Sequence, residues 1–342
     1  MKTRFGGIVR KTISMLLVVV TILGLAIPAV AVTTSSAARI YSDFTTSPAY
    51  KNYQEFAKLY STKYSIPVPG LTHTDVNGTD CTTMVPQGIC FADDYLIVSA
   101  YDSEGGCNSV LYVISNTDSK NRQYLMTLVL PTTAHVGGVA FDGTYLWVSN
   151  GKNVSSIKYS TLDSTVASAV SNNKKSVAVK FYSTCSAGTT ASFLTYSDGM
   201  LWIGEFKDKG DSSGKMYSYT VSSDGKTLKK KYYITLPDRI QGACFKDGYL
   251  ILSRSYNRNV SSSSYISELR IYKISEPDSN GNIKKNSVVK TIDLPPMVEG
   301  LVAGSNYMYM LFESGATKYY KGSDGNGKCK YPIDRIDRKS VV

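Results

Sequence analysis

The stretch AHVGGVAFDGTYLWVSN, Ala134–Asn150, runs from small residues into an apolar segment, then Asp-Gly, an aromatic and a second apolar segment. Asp-Gly between two short apolar runs is the signal of a tight β-hairpin. The unit GGVAFDGTYLWVSNG from Gly137 has four counterparts: QGICFADDYLIVSAYD from Gln87, SFLTYSDGMLWIGEF from Ser192, QGACFKDGYLILSRS from Gln241 and EGLVAGSNYMYMLFES from Glu299. Taking the second residue of each copy as anchor gives Gly88, Gly138, Phe193, Gly242 and Gly300. Seven positions on stand Tyr95, Tyr145, Met200, Tyr249 and Tyr307, each followed by Leu or Met. The anchors lie 50, 55, 49 and 58 residues apart, so the hairpin is one part of a repeat.

Each copy carries further strand-like runs. A third follows the hairpin (SVLYVIS from Ser109, SSIKYST from Ser155, KMYSYTV from Lys215, ELRIYKI from Glu268, ATKYYKG from Ala316), and a fourth often ends in Leu-Pro, as in LMTLVLP, YYITLP and VVKTIDLP. The runs are short, β-branched, aromatic-rich and bounded by turn residues, which excludes helices. Four strands in about fifty residues, repeated, is the pattern of a β-propeller blade, and one such sheet cannot cover its own faces. The fold class expected is all-β: a five-bladed β-propeller of four-stranded antiparallel blades over residues 84–342, with YPIDRIDR as the last outer strand. A short N-terminal helical segment precedes it. In residues 32–83, Ser47-Pro48 makes an N-cap and N1 pair. Ala49, Tyr53, Phe56, Ala57 and Tyr60 then recur at helical spacing, giving one helix outside the ring or across one face of it.

Residues 1–31 read as a secretory signal peptide. Lys2, Arg4, Arg10 and Lys11 precede the apolar run ISMLLVVVTILGLAIPAVA, which closes on Ala29-Val30-Ala31. Cleavage is expected after Ala31, with a cut near Ala38 second and an uncleaved anchor as the alternative. The chain is therefore expected to be secreted or held at the cell surface, without a transmembrane segment once cleaved. Removing four positive and no negative charges takes the formal charge from +11 to +7. The lysines are scattered, as in KTLKKKYY, and no nucleic-acid recognition motif accompanies them. Weak attraction to anionic cell-wall polymers is the simpler consequence.

In a propeller the first strand of each blade lines the channel, and its start lies on the same face as the end of the second. Before the anchors stand Gln87, Gly137, Ser192, Gln241 and Glu299, with His135 just upstream of Gly137. At the ends of the second strands stand Asp102, Asn150, Glu205, Arg254 with Tyr256, and Glu313. These residues form the candidate ligand-binding ring. Paired carboxylates for glycoside chemistry are not evident, since the inner positions hold only Glu299. No nucleophile elbow, Cys-His arrangement or EF-hand loop occurs. No cofactor is predicted, although Ca²⁺ held by Glu299, Asp102 and channel carbonyls is chemically permitted.

Six cysteines in an exported chain can pair in 15 ways, and no C-x-x-C suggests zinc. Cys90 and Cys244 share one inner-strand register position and read as core thiols. Cys81 and Cys107 fall in two loops at the same rim and are the pair expected to bridge. Closing that loop of roughly 25 residues would add about 3 kcal/mol.

The segments MVPQGIC, AYDSEGGCNSVLYVI, LPTTAHVGGVAFDG, RIQGACF…LILSRSYNRN and LPPMVEGL…LFESGA resemble a family of exported propeller proteins of Gram-positive bacteria, over most of residues 80–320. That resemblance implies fold and export and leaves activity open. The x-Q-G and x-E-G strand starts are also similar in style to plant-type glutaminyl cyclases, which are five-bladed, but Gln87 and Gln241 stand where an acid would better serve that reaction. Two functions are then open. One is a monomeric binding module for a carbohydrate, peptide or cell-wall fragment, a reading that 26 tyrosines suit. The other is a hydrolase or cyclotransferase with Glu299 as acid/base and His135 and Arg254 orienting substrate. The absence of a reactive constellation favours the first.

Overall fold

The computed structural model describes residues 40–59, 65–118, 121–211, 213–258, 266–305 and 307–339. The signal segment 1–31, Ala38 and Tyr60 lie outside them.

The chain enters through a 3₁₀ turn (Phe44–Thr46) and two short helices, α1 (Pro48–Asn52) and α2 (Gln54–Leu59). Ser47 caps α1, its hydroxyl accepting the Tyr50 amide at 3.1 Å with Pro48 at N1. The expected single helix is broken at Tyr53, whose non-helical backbone (φ −112°, ψ 81°) caps α1. Strand β1 (Ile66–Pro67) and a ribbon of β2 (Thr74–Val76) and β3 (Thr79–Cys81) follow.

Five sheets come next. The first holds β4 (Met84–Ala92), β5 (Tyr95–Asp102), β6 (Val110–Ser115) and β7 (Tyr124–Val129). The second begins with β8 (Val139–Phe141), β9 (Tyr145–Asn150) and β10 (Asn153–Lys158). Helix α3 (Tyr159–Ser171) then interrupts the repeat, burying Leu162, Val166 and Ala169. After it, β11 (Ser176–Ala178) joins the edge of the first sheet parallel to β7, and β12 (Ser183–Ser186) completes the second. The third holds β13 (Phe193–Ser197), β14 (Met200–Gly204), β15 (Lys215–Val221) and β16 (Leu228–Thr235). The fourth holds β17 (Ile240–Lys246), β18 (Tyr249–Arg254), β19 (Ser267–Pro277) and β20 (Ile283–Leu294).

In the fifth sheet two expectations fail. ATKYYKG forms helix α4 (Thr317–Tyr320) after β21 (Val298–Ala303) and β22 (Met308–Phe312). The C-terminal segment supplies β23 (Arg335–Lys339) as the third strand, and β1 closes the sheet by pairing Ile66 with Ile336. Ile66–Pro67, in the segment before the propeller repeat, is thus an edge strand of its last sheet. Asp334, almost fully buried, holds this closure by accepting the Tyr41 amide (3.1 Å) and the Arg335 Nε (2.8 Å). Phe44, Ala49 and Phe56 are buried against Phe312, Ile292 and Leu294 of the last two sheets. The fold is an all-β propeller with a small helical portion.

The anchor glycines show why the repeat reads as it does. A Cβ on Gly88 would stand 2.8 Å from the Gly138 Cα, and one on Gly138 would stand 2.2 Å from the Leu194 amide nitrogen. One on Gly242 would meet the Glu299 carbonyl oxygen at 2.6 Å, and one on Gly300 the Gln87 carbonyl oxygen at 2.9 Å. Each glycine lets its inner strand touch the next, and the last touches the first. The second strands add a bridge: Ser99 donates to the Val136 carbonyl and Ser253 to the Glu299 carbonyl, both at 2.7 Å. The third sheet exchanges both positions together. Phe193 replaces the glycine, and Gly204 replaces the serine. A Cβ on Gly204 would lie 2.0 Å from the Phe193 ring. The ring fills the space that the missing side chain leaves.

Gly138→Val should therefore cost more than 3 kcal/mol in urea unfolding, because the atoms it meets are backbone. Gly143→Ala, at φ 93° in a turn with open space beside it, is the control and should cost about 1 kcal/mol.

Candidate functional site

The inner strands do not start regularly. Pairing register shifts between Pro86 and Ile89, between Ile240 and Gly242, and between Val298 and Leu301. These β-bulges contain Gln87, Gln241 and Glu299. An extra residue on one strand re-aims its side chain, so the x-Q-G and x-E-G motifs redirect a polar group where a regular strand would not.

The three converge on one network. Gln87 donates from Nε2 to Glu313 Oε2 (3.0 Å) and pairs through Oε1 with His135 Nε2. Gln241 donates to Glu299 Oε1 at 3.2 Å. The His135 ring stacks on Tyr101, centroids 4.1 Å apart and planes 32° from parallel. The Tyr319 hydroxyl interacts with Glu313 and with Tyr101.

Burial pushes the Glu299 carboxyl well above its ordinary range, and the neighbouring Glu313 pushes it further. Glu313 is itself raised to about 7, chiefly by loss of water, against hydrogen bonds from Gln87 and Tyr319 and the charges of Lys318 and Arg258. Two carboxyls this close cannot both ionise readily, so the pair retains a proton near neutrality. Desolvation, helped by Lys318, lowers the His135 imidazole and leaves it neutral. Burial also raises Tyr101 and Tyr319, which remain phenols. The cluster is a set of uncharged donors and acceptors around a carboxyl pair that carries at most one negative charge.

The other expected members of the ring have local work. Asp102 accepts the Thr83 hydroxyl and Glu104 amide on one oxygen, and the Gly106 and Cys107 amides on the other. Asn150 bonds Thr132 and Ser155. Glu205 bonds Thr189 and the Lys215 amide. All three saturate themselves on adjoining loops and stand outside the carboxyl network. Arg254 is held by Asp238 and Glu268, and its guanidinium and that of Arg239 lie 5.0 and 5.1 Å from the centre of the buried Tyr256 ring. This is a separate cluster of the fourth sheet.

Sequence reasoning missed Tyr101 and Tyr319. Alternation along β5 was the available signal for Tyr101, since adjacent Asp102 faces the loop. Tyr319 belongs to α4, which was read as a strand. Among the described residues the one group of three or more candidate metal donors is Cys81, Asp102 and Cys107. All six cysteines are free thiols here, so the expected Cys81–Cys107 bridge is not formed, although the donor atoms of that trio lie within 4.8 Å of one another. Cys90 and Cys244 are buried thiols in separate sheets, as expected. No described helix is long and apolar enough to cross a membrane.

A carboxyl with a raised folded-state pKa binds more protons folded than unfolded, so its stability contribution is full below the unfolded value and is lost as pH rises through the folded one. For Glu313 that window runs from 4.5 to about 7. His135, with a lowered pKa, has the opposite slope over part of that range. The readout is therefore a difference. Between pH 4.5 and 7, wild type should lose about 1–3 kcal/mol relative to Glu313→Gln in urea titrations. Parallel curves would refute the proton-sharing pair.

No family model matches the chain, and no curated protein resembles it in sequence. Solved structures do align. The WD40 β-propeller domain of Doa1 is 11% identical at a TM-score of 0.32, covering 66% of this chain and 61% of that one. A functionally unknown protein from Desulfotomaculum acetoxidans DSM 771 is 12% identical at a TM-score of 0.36, covering 67% and 62%. The chain thus spans about three fifths of each neighbour, and the propeller assignment stands on its own strand topology.

Proposed function

We propose that this chain is an exported, five-bladed propeller that binds a neutral polar ligand, a glycan, peptide or cell-wall fragment, at its channel mouth. The observation that carries the reading is the network of Gln87, Gln241, neutral His135 and the proton-sharing Glu299 and Glu313, holding at most one negative charge, set beside the Tyr101–His135 stack. Carboxamides, a neutral imidazole and phenols match sugar hydroxyls or peptide amides, and an aromatic face suits a sugar ring. Export rests on residues 1–31, and the five blades on the five sheets. Membership of the Gram-positive exported family and a monomeric state belong to the same reading.

Calorimetry against wall fragments and neutral oligosaccharides tests it. Glu299→Gln keeps shape and neutrality, so binding should survive, weakened by about 1–3 kcal/mol where the ligand bonds that carboxyl. Glu313→Gln together with Gln87→Ala should weaken it further. Variants that bind every probe as wild type does would remove the mouth as the site. In the alternative, Glu299 gives its proton to a leaving group, and Glu299→Gln would then abolish turnover while sparing binding.

Export also bears on the thiols. Asp102 already ties Thr83 and Cys107 together, which holds the two cysteine-bearing segments side by side. Oxidised outside the cell, Cys81 and Cys107 would lose one proton each and two electrons to a thiol oxidant and join. Mass spectrometry of secreted chain without reductant should find a start near Val32 and one linked pair of peptides carrying these cysteines. An intact residue 1–31 segment or alkylated Cys81 and Cys107 would contradict export or the bridge respectively.

A further inference from the structure

The rim between the second and third sheets carries a feature that the mouth does not use. Along β15, Lys215, Tyr217 and Tyr219 alternate onto one face. On β16, Lys230 stands opposite Tyr219 and Tyr233 opposite Tyr217, on either side of a bulge. That face looks towards the second sheet: Tyr219 donates to the Ala187 carbonyl and, with Tyr217 and Tyr182, packs on the apolar cluster between the two sheets. The turn before β16 docks on the second sheet as well, with Gly225 against the Tyr145 ring, which stacks on Tyr182 at 5.5 Å.

Ammonium groups line this aromatic floor. Lys158 Nζ is 4.2 Å and Lys226 Nζ 5.8 Å from the Tyr182 ring centre. Lys230 Nζ is 3.6 Å from Tyr217 and 5.8 Å from Tyr219, and Lys215 Nζ is 4.8 Å from Tyr233. Among the described residues none of the four lysines forms an ion pair, although the exposed Asp224 lies near Lys226. From Lys215 to Leu236 the sequence holds Lys215, Lys226, Lys229, Lys230 and Lys231 against Asp224 alone. Cations held over rings, outnumbering the one nearby carboxylate, Asp224, leave a net positive strip whose floor is aromatic. Strand β16 spans eight residues, so the strip is roughly 25 Å long.

We propose that this inter-sheet strip binds a linear acidic polysaccharide, with the ammonium groups meeting its carboxylates and the accessible edges of the half-buried Tyr182, Tyr217 and Tyr233 meeting its sugars. The argument is charge complementarity combined with ring surface. A polyanion without sugar rings would use only the lysines, and a neutral glycan only the tyrosines. The strip lies on outer strands, so the inference is independent of the mouth.

The probes are oligogalacturonates of about ten sugars, neutral dextran and inorganic polyphosphate, measured by calorimetry at two salt concentrations. Oligogalacturonate should bind wild type, weaken as salt rises, and bind far better than dextran. The triple variant Lys158→Gln/Lys226→Gln/Lys230→Gln should lose tenfold or more, whereas Asp224→Asn should gain. Tyr182→Leu, which keeps the apolar packing, should weaken oligogalacturonate several-fold without changing polyphosphate. Glu299→Gln should leave all of this unaltered. A triple variant that keeps its melting temperature and binds like wild type overturns the site. Polyphosphate binding more tightly than oligogalacturonate, with no effect of Tyr182→Leu, overturns the sugar assignment.

Discussion

The close approach of neighbouring inner strands constrains everything else in this molecule. At Gly88, Gly138, Gly242 and Gly300 one backbone rests on the next with no room for a Cβ. That contact sets the spacing of the sheets around the channel, and the Ser99 and Ser253 hydroxyls secure two of the same junctions. The junction through Phe193 and Gly204 shows that the constraint is one of volume. When glycine is lost on one strand, its neighbour gives up a side chain, so the filled space changes owner.

The same strands carry the candidate site, and the two facts are connected. A bulge near the start of β4, β17 and β21 places the residue before the glycine so that Gln87, Gln241 and Glu299 meet in the network with Glu313. The glycine then returns the strand to its tight contact. Polar groups are thereby gathered where they have little water, which raises the carboxyls, lowers the imidazole and keeps the phenols protonated. The site holds little charge because its scaffold is tight.

The sequence made the repeat legible because the hairpin register is local: an Asp-Gly turn, an aromatic and two apolar runs recur wherever a blade begins. The second strands begin at Tyr95, Tyr145, Met200, Tyr249 and Met308, within one residue of the aligned positions. Gln87, His135, Gln241, Glu299 and Glu313 could be chosen because register implies a shared rim. Asp102, Asn150 and Glu205 occupy the same rim, but their hydrogen bonds are made to residues whose positions no register specifies. Helix α4 was hidden because ATKYYKG alternates like a strand, and with it went Tyr319. Helix α3 buries Leu162, Val166 and Ala169 at helical spacing, a signal that the strand-by-strand reading of the repeat passed over. The pairing of β1 with β23 could not be read, since two residues of extended chain carry no pattern.

That last pairing links residues about 270 positions apart, Ile66 with Ile336. Bringing such distant segments together costs only about 2 kcal/mol more than closing a loop one tenth as long, so the equilibrium penalty is modest. The temporal penalty is larger. A chain emerging amino end first exposes β1 early and must keep its edge unsatisfied until β23 arrives, because β22 cannot reach it alone. The ring is then an all-or-none object whose final strand is also its lock, and an incompletely delivered chain presents open strand edges to other chains and to proteases.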